Sequence, residues 1–240
     1  MTNLVSTTLE NGIAIIEMDD GKNNLASPQM QKELHQALDQ AEKENAVVLL
    51  IGREGMFCAG FDLKVFKTGA VNSFKMVTGG FSLARRLLGF PTPVVVACSG
   101  HAVAMGAFLL LSADYRIGAD GDFKIVANEV EIGLTMPFAA LEICSNRLNP
   151  SHYQRAIGLA ESYNPQTAVA AGFLDHVVHP ADLRKEGLAK AERFAALDLE
   201  AHRKSKLRMR RKMLKRLDRV QWIDKIDFVF QGALRAAAKK

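Results

Sequence analysis

The sequence predicts an α/β fold in which a largely parallel β-sheet is covered by helices. Three observations lead to this prediction: short apolar runs that end at polar residues or glycine, helical stretches between those runs, and a length of 240 residues, which suffices for one large domain or two small ones. With 48% hydrophobic and 24% charged residues, the composition is that of a globular protein and argues against a disordered, collagenous or coiled-coil chain.

The first predicted elements are a strand, a turn and a helix. Ile13–Met18 alternates as a strand does, and residues 21–26 favour a turn. Ser27 followed by Pro28 is typical of a helix N-cap and first helical position, so we expect a helix from there to about Glu44.

The next predicted strands are buried on both faces. Val47–Ile51 is an apolar run bounded by polar residues and Gly52, and residues 94–97 form a second such run. Residues 115–118 and 123–126 are predicted as further strands. Because helical stretches separate these runs, we expect parallel pairing through right-handed crossovers.

The C-terminal part of the sequence is predominantly helical from residue 151 onward. Pro165 favours the start of a helix that Gly172 ends, and residues 175–178 are predicted as a strand. We expect residues 1–195 to form the core and residues 196–240 to form a basic helical region.

The positive charge is concentrated in that last region. Residues 203–219 carry ten Lys and Arg side chains against one Asp, which leaves a net charge of −4 for the rest of a chain whose total is +5. Apolar residues recur there at helical spacing and predict one apolar face: Leu207, Met213, Leu214, Leu217 and Val220. A docking or oligomerisation helix with a solvated charged face, a polyphosphate site, and a nucleic acid or acidic membrane contact are the alternatives.

The cysteines and the N-terminus indicate a reducing, cytoplasmic location. Cys58, Cys98 and Cys144 are odd in number and far apart, so they predict neither a disulfide framework nor a metal site. The N-terminal residues lack the basic and apolar regions of a secretory signal.

One uncharged stretch, residues 94–113, has the length of a membrane span. Polar or small residues at 99–101 interrupt it, and Pro91 and Pro93 precede it. We therefore interpret it as a buried strand, a loop and a buried helix, and expect no membrane contact.

Candidate functional residues lie in the loops that follow two predicted strands, which is where ligands bind in parallel α/β sheets. Small residues at 58–60 follow the strand Val47–Ile51, and residues 99–106 follow the strand at 94–97 and open a helix. The first N–H groups of a helix lack intrahelical partners and suit a carbonyl oxygen that becomes negative. Tight packing of small residues is the alternative explanation.

Four motifs together resemble the crotonase superfamily, the enoyl-CoA hydratase/isomerase fold: FCAGFDLK, SGHAVAMGAFLLLSADYRIGA, FKIVANEVEIGLTMP and TAVAAGFLDHVV. The resemblance covers residues 13–178 in order. It implies a spiral of ββα units, assembly as a trimer or a dimer of trimers, and binding of acyl-CoA thioesters. Coenzyme A would then enter as part of the substrate, with no cofactor bound permanently and a role in fatty acid metabolism.

The resemblance also implies an oxyanion hole made of two main-chain N–H groups, which fall here on Phe61 and Met105. Met105 replaces the usual glycine, a change that a backbone donor tolerates. Ala59, Asp62, Leu63 and Lys64 complete the implied thioester-binding segment. Asp62 is expected to hold the loop, and Lys64 either contacts CoA phosphates or is solvated.

Hydratases of this superfamily carry two catalytic glutamates, and only one is matched here, by Glu129. The other position is Phe108, which can neither activate water nor transfer a proton. A single carboxylate suits the 3,2-enoyl-CoA isomerases, which this sequence resembles most in pattern. Phe108 and Met136 are then expected to line a dry substrate pocket. Glu131 is expected to be structural and is the best substitute for a second acid.

Three other functions stay open. The first is a 2-enoyl-CoA hydratase that uses Glu129, the second is RNA binding through the basic helix, and the third is a catalytically inactive scaffold. Of these, nucleic acid is not the expected partner. His101 and Trp222 are expected to be packed or surface groups, while Phe228 and Phe230 either close the acyl pocket or bury an interface.

Overall fold

The computed structural model describes the backbone of residues 3–237 and the side chains of residues 3–224. Its strands are β1 (Val5–Glu10), β2 (Ile13–Met18), β3 (Val47–Ile51), β4 (Gly55–Cys58), β5 (Val94–Cys98), β6 (Gly100–Val103), β7 (Tyr115–Ala119), β8 (Ile125–Val126) and β9 (His176–Val178). Its helices are α1 (Pro28–Lys43), α2 (Leu63–Phe66), α3 (Ala70–Leu88), α4 (Met105–Leu111), α5 (Phe138–Arg147), α6 (Pro150–Gly158), α7 (Pro165–Ala171), α8 (Leu183–Ala195) and α9 (Leu199–Ala237).

The strands form two sheets. The larger has the order β1-β2-β3-β5-β7-β9, in which β1 is antiparallel to β2 and the other pairs are parallel. The smaller is parallel, in the order β4-β6-β8. Successive strands β3 and β4, β5 and β6, and β7 and β8 thus enter the large and the small sheet in turn. The predicted α/β fold with ββα units and a C-terminal helical region is confirmed.

Two short strands lie where the sequence analysis expected loops. β4 and β6 were assigned to the loops that follow β3 and β5, but they pair with each other in the small sheet. Their residues are too few and too mixed in polarity for a period-2 pattern, and the β4–β6 register shifts between Met56 and Cys58. Strand pairing, which the local sequence does not encode, therefore decides these elements.

The strand predicted at residues 123–126 is shorter than expected and contains only Ile125–Val126. The Lys124 N–H donates to His101 Nδ1 at 2.9 Å, and the Phe123 ring lies edge-on to the His101 ring with 5.5 Å between their centroids. These side-chain contacts engage the Lys124 N–H and the Phe123 ring, while the Lys124 carbonyl accepts the Ala102 N–H at 2.9 Å. His101 is thus a half-buried packing group, as expected.

The predicted helix boundaries agree with the structure because the local capping chemistry is strong. The Ser27 hydroxyl accepts the Met30 N–H at 3.2 Å, with Pro28 as the first residue of α1. α7 begins with a capping box between Asn164 and Thr167, and it ends at Gly172, whose φ of +91° is left-handed.

Two apolar clusters cover the two faces of the large sheet. Alternate residues such as Val48 and Leu50 face α1 and α3, whereas Val47 and Leu49 face α8. The uncharged stretch at residues 94–113 contains the expected buried strand β5 and buried helix α4, but strand β6 lies between them in place of the expected loop. None of the helices in the described part of the chain is long and apolar enough to cross a membrane.

Helix α9 packs against α3 and α5, and its inner face differs from the predicted one. Met213, Leu214 and Leu217 are buried there, but Leu207 is 38% exposed because it lies at the edge of that face. Lys206 and Arg210 are buried instead, so the alternative of a solvated charged face does not hold for these two side chains.

Both buried cations bind one carboxylate, that of Asp114 before β7. Lys206 Nζ lies 2.6 Å from Asp114 Oδ2, and Arg210 Nη2 lies 2.9 Å from Asp114 Oδ1. Trp222 is a surface group, as expected. The Phe228 and Phe230 side chains lie outside the described residues, and the division at residues 195 and 196 stays a prediction.

Candidate functional site

Two loops meet where β4 leads into α2 and β6 leads into α4. A Cβ built at Gly60, whose φ is +93°, would lie 3.0 Å from the Ala104 Cβ and 3.6 Å from the Met105 nitrogen. A Cβ at Gly106 would lie only 2.1 Å from the Cys58 carbonyl oxygen. Glycine at both positions therefore lets the two loops approach at backbone distance.

The Met105 N–H is the first of α4, and so it has no acceptor within the helix. The preceding residue, Ala104, has φ +50° and ψ −118°, a strained conformation for a residue with a Cβ. Among the described residues, neither the Phe61 N–H nor the Met105 N–H donates a hydrogen bond. Two main-chain donors are thus available at the meeting point of the loops, as an oxyanion hole requires.

An aromatic row borders these donors. A Cβ at Gly80 of α3 would lie 2.5 Å from Cε1 of the Phe61 ring and 3.1 Å from the Met105 sulfur, so both side chains pack on this glycine. Phe81 lies edge-on to Phe61 with ring centroids 6.5 Å apart, and it stacks on Phe108 at 5.8 Å. Phe108 is fully buried, so its ring adds an apolar wall to this row.

Glu129 lies three residues after β8 and contributes a buried carboxylate to the site. The Ala104 N–H donates to the Val126 carbonyl at 2.8 Å, which fixes the chain before Glu129 beside the first turn of α4. Glu129 is 8% exposed, and its Oε2 atom is buried without a partner among the described residues. Burial raises its pKa to about 7.

Two neighbours of Glu129 complete this part of the site. The Asn128 Oδ1 atom is also buried without a partner in the described part of the chain. The Cys144 thiol of α5 is fully buried, and burial together with the Glu129 charge raises its pKa far above the ordinary value. Among the described residues, no donor reaches Asn128 Oδ1 or Glu129 Oε2, so both atoms can accept a hydrogen bond from a bound molecule.

Two further candidate residues follow β8: Met136, which is buried, and Glu131, which is exposed. Met136 is buried in the same apolar cluster as Phe108. Glu131 is exposed, unlike Glu129, because residues 129–133 form a turn rather than an extended segment. No described contact brings Glu131 to the site, and the structural role expected for it stays a prediction.

The thioester-binding segment begins inside the fold and ends on its surface. The Ala59 N–H donates to the Asn23 carbonyl at 3.0 Å. Asp62 caps α2 by accepting the Lys64 N–H at 2.9 Å, the loop-holding contact expected of it. Leu63 and Lys64 are exposed, so their contacts with CoA stay predictions.

Sequence reasoning missed two groups that hold this site. Asn24 is fully buried and donates to the β4 backbone, and its partner Asp20 binds the turn around it. The only signal was that Asp20 immediately precedes the predicted turn and Asn24 lies within it, since Asp and Asn are common in turns. Phe81, which links Phe61 to Phe108, was also missed, because its role depends on packing between distant segments.

The described residues contain no group of three His, Cys, Asp or Glu side chains arranged to hold a metal ion. The cysteines are buried, and burial raises the pKa of Cys58 and of Cys98 to about 12. They are therefore poor nucleophiles.

Comparison with known proteins gives a consistent result. A sequence model of the family described as enoyl-CoA hydratase/isomerase matches residues 8–229. A solved enoyl-CoA hydratase/isomerase family protein from Pseudomonas syringae is 45% identical, with a TM-score of 0.91 over 92% of this chain and 96% of that one. An enoyl-CoA isomerase from Mycobacterium tuberculosis is 44% identical, with a TM-score of 0.88 over 92% and 97%. An enoyl-CoA hydratase from Mycobacterium marinum is 43% identical, with a TM-score of 0.90 over 94% and 99%.

Proposed function

The chain belongs to the enoyl-CoA hydratase/isomerase family of the crotonase superfamily, and from this premise we propose that it converts 3-enoyl-CoA to 2-trans-enoyl-CoA. Coenzyme A takes part only as the carrier of the acyl group, and no cofactor is bound permanently. Glu129 carries the proton, and the Phe61 and Met105 N–H groups hold the thioester oxygen.

In the first step the Glu129 carboxylate removes a proton from C2. The electron pair of the broken C–H bond forms the C1–C2 double bond of a dienolate, and the thioester oxygen takes the negative charge. Two N–H donors aimed at that oxygen stabilise the charge more than they stabilise the neutral carbonyl.

In the second step the Glu129 carboxyl returns the proton to C4. The carbonyl re-forms, a double bond forms between C2 and C3, and the former C3–C4 pair binds the proton. No atom is gained or lost, so one acid/base group suffices for the whole reaction.

The observation that carries this proposal is the contrast between Glu129 and Phe108. Glu129 has a buried, unpartnered oxygen and a pKa raised to about 7, which suits a group that both takes and returns a proton near neutrality. Phe108 fills the place of a second acid with a fully buried ring. One acid beside an apolar wall favours moving a proton within the substrate over directing water to it.

The test mixes the pure protein with a 3-enoyl-CoA and, separately, with crotonyl-CoA. We expect the absorbance of the conjugated 2-enoyl thioester to appear in the first mixture and to persist in the second. Glu129→Gln is expected to lower turnover by about 10³-fold, the scale of a general acid/base group, while CoA-ester binding survives. Glu131→Gln is the matched control and should keep its turnover. An active Glu129→Gln enzyme contradicts the proposal.

A second candidate is 2-enoyl-CoA hydration, which one observation favours. The buried Asn128 Oδ1 and Glu129 Oε2 atoms, on adjacent residues, both lack a partner among the described residues, and buried water commonly satisfies such atoms. Loss of the crotonyl-CoA absorbance would indicate this reaction. Absence of turnover on either thioester, with binding intact, would indicate an inactive scaffold.

A further inference from the structure

The loop that carries the Phe61 N–H is held by a turn between β2 and α1 that the reaction does not use directly. Asn24 lies in this turn with a φ of +49°, and its side chain is fully buried. The αL conformation is one that Asn adopts more readily than most residues with a Cβ.

The Asn24 amide joins this turn to strands β2 and β4. Its Nδ2 donates to the Met18 carbonyl at 2.8 Å and lies 3.3 Å from each of the Met56 and Phe57 carbonyl oxygens. Its Oδ1 accepts the Asp20 N–H at 2.9 Å. An amide offers donors and acceptor together, so one side chain can satisfy backbone groups on both sides.

The Asp20 carboxylate fixes Asn24 in turn. Its oxygens accept the N–H groups of Lys22 at 2.8 Å, of Asn24 at 2.8 Å and of Leu25 at 3.0 Å. Burial alone would raise the Asp20 pKa, but these backbone donors outweigh it and hold the pKa below its ordinary value. The turn is thus built around a charged carboxylate.

Main-chain hydrogen bonds continue this attachment up to the residue before Phe61. The Ala59 N–H donates to the Asn23 carbonyl at 3.0 Å, and the Ala26 N–H donates to the Gly60 carbonyl at 2.8 Å. Gly60 in turn lies against Ala104, the residue before the second donor. The position of the Phe61 N–H relative to the Met105 N–H therefore depends on where this turn holds residues 57–60.

We propose that Asn24, locked by Asp20, is a positioning residue that sets the geometry of the oxyanion hole. The inference rests on the proposed function, because it concerns the same pair of N–H donors. Asn24 touches no substrate; it acts by keeping the chain from β4 to Phe61 at a fixed distance from α4. A displacement of about 1 Å at a catalytic group is enough to lower turnover by about 10²-fold.

The test is Asn24→Asp, which keeps the shape and the αL tolerance but replaces the donating amide nitrogen with an oxygen that faces three carbonyls. We expect kcat on a 3-enoyl-CoA to fall by about 10- to 100-fold with little change in KM, because the donors act most strongly on the dienolate. The milder variant Asp20→Asn should give a smaller loss of the same kind.

A second measurement reports the oxyanion hole directly. The infrared stretch of a ¹³C-labelled thioester carbonyl in bound crotonyl-CoA should shift to lower frequency in the wild-type protein, and this shift should be smaller in Asn24→Asp. Thr92→Val is the matched control. Thr92 lies two residues before β5, is fully buried and donates to the Ala46 carbonyl at 2.6 Å. Loss of its hydroxyl should therefore lower stability but leave kcat and the carbonyl shift unchanged.

The outcomes separate this inference from the proposed reaction. A wild-type kcat and carbonyl shift in Asn24→Asp, or equal losses in Thr92→Val at matched stability, would overturn the positioning role while isomerisation stands. A wild-type protein with a shifted carbonyl but no isomerisation overturns the proposed reaction, and the shift in Asn24→Asp then decides the inference alone. No shift in the wild type would overturn the inference as well.

Discussion

Glu129 combines a functional requirement with an energetic cost. A carboxylate that must act as a base near neutrality needs a pKa close to 7, and burial without a partner supplies it. The same burial makes the ionised form less stable in the folded protein than in the unfolded chain. Rate and stability should therefore both report the titration of this one group.

The pH dependence of the rate is the first consequence. Proton removal from C2 needs the ionised carboxylate, so kcat/KM should rise with pH and level off above an apparent pKa of about 7. Steady-state kinetics on a 3-enoyl-CoA between about pH 5 and pH 9 measure it. A profile that is flat through neutrality, or that has its midpoint near the ordinary pKa of glutamate, would contradict the assignment of Glu129 as the base.

The second consequence concerns stability. The folded pKa of about 7 exceeds the ordinary 4.5, so the folded state binds more protons between these values, and this contribution to stability is lost as pH rises through that window. Glu129→Gln should therefore stabilise the protein by up to about 3 kcal/mol at pH 8 and by little at pH 4.5. Urea unfolding at both pH values measures this, with Glu131→Gln as the control. Equal effects at both pH values would argue against a carboxylate that burial destabilises in its ionised form.

Gly60 has a different constraint, which is conformational and steric at once. Gly60→Ala places a Cβ at a φ of +93° and 3.0 Å from the Ala104 Cβ, so we expect a loss of stability of about 1–2 kcal/mol and a large loss of turnover. Gly12→Ala is the control, because Gly12 has a φ of +76° with nothing within 4 Å. Thermal unfolding should show that Gly12→Ala lowers stability about as much as Gly60→Ala does. Kinetics should show normal turnover for Gly12→Ala only.

At the residue scale, the sequence could predict those site residues whose side-chain type itself indicates a chemical role. Glu129 and Phe108 could be assigned because their side-chain types distinguish two reactions, and the structure places one as a buried carboxylate and the other as a buried ring. Asn24 could not be assigned, since nothing in a local sequence reveals that an amide will face carbonyls of a strand about thirty residues away. Its role became visible only once β2 and β4 were placed together.

At the element scale, α9 illustrates how charge can attach a helix to a core. Arg210 Nη1 donates to the Leu88 carbonyl at the end of α3, at 2.9 Å, where the helix dipole favours a cation. The Asp224 carboxylate accepts the N–H groups of Phe138 and Ala139 at 2.8 and 2.9 Å, where α5 begins and an anion is favoured. Charges on α9 thus match the dipoles of both helices on which it packs.

Asp114 attaches α9 to the core through two buried cations, Lys206 and Arg210. Burial lowers the pKa of Lys206 to about 8, although Asp114 opposes the shift. Asp114→Asn leaves Lys206 and Arg210 buried without a counter-charge, so we expect a loss of about 3–5 kcal/mol in the free energy of unfolding. The control is Asp218→Asn, which breaks the exposed pair with Arg85 and should cost about 1 kcal/mol or less. Urea unfolding measures both, and equal losses would refute the distinction.

Sequence periodicity predicted that α9 is a helix but could not identify the buried cations. Lys and Arg are ordinarily exposed, so Lys206 and Arg210 were assigned to a solvated face, and Leu207 was placed on the apolar one. The pairing of both cations with Asp114, about ninety residues away in the chain, reverses that choice. For β4 and β6 the limitation is similar, since each is too short to show its own period and depends on its partner strand.

At the scale of the whole molecule, the surface beside Glu129 bears on assembly. Val130, Ile132 and Leu134 are large apolar side chains, and all are at least 36% exposed within five residues. Clusters of this kind often mark contacts between proteins. The trimer or dimer of trimers expected from the family stays a prediction.

We expect analytical ultracentrifugation to give three or six copies of the 26.3 kDa chain, because burial of this apolar surface would favour association. The measurement should be repeated over a range of protein concentrations, since dissociation on dilution separates a weak contact from a stable one. A monomer at every concentration would contradict the expected assembly.

The close approach of α4 to β4 also restricts how this protein can evolve. A Cβ at position 106 would meet the Cys58 carbonyl at 2.1 Å, and relieving that clash would move the loop that carries Phe61. A library randomised at position 106 and selected for turnover of a 3-enoyl-CoA should return glycine alone. Position 61 contributes only a main-chain N–H, so the same selection should tolerate several side chains there. Glycine at position 106 would then be more strictly required than the side chain at position 61, although position 61 supplies the donor.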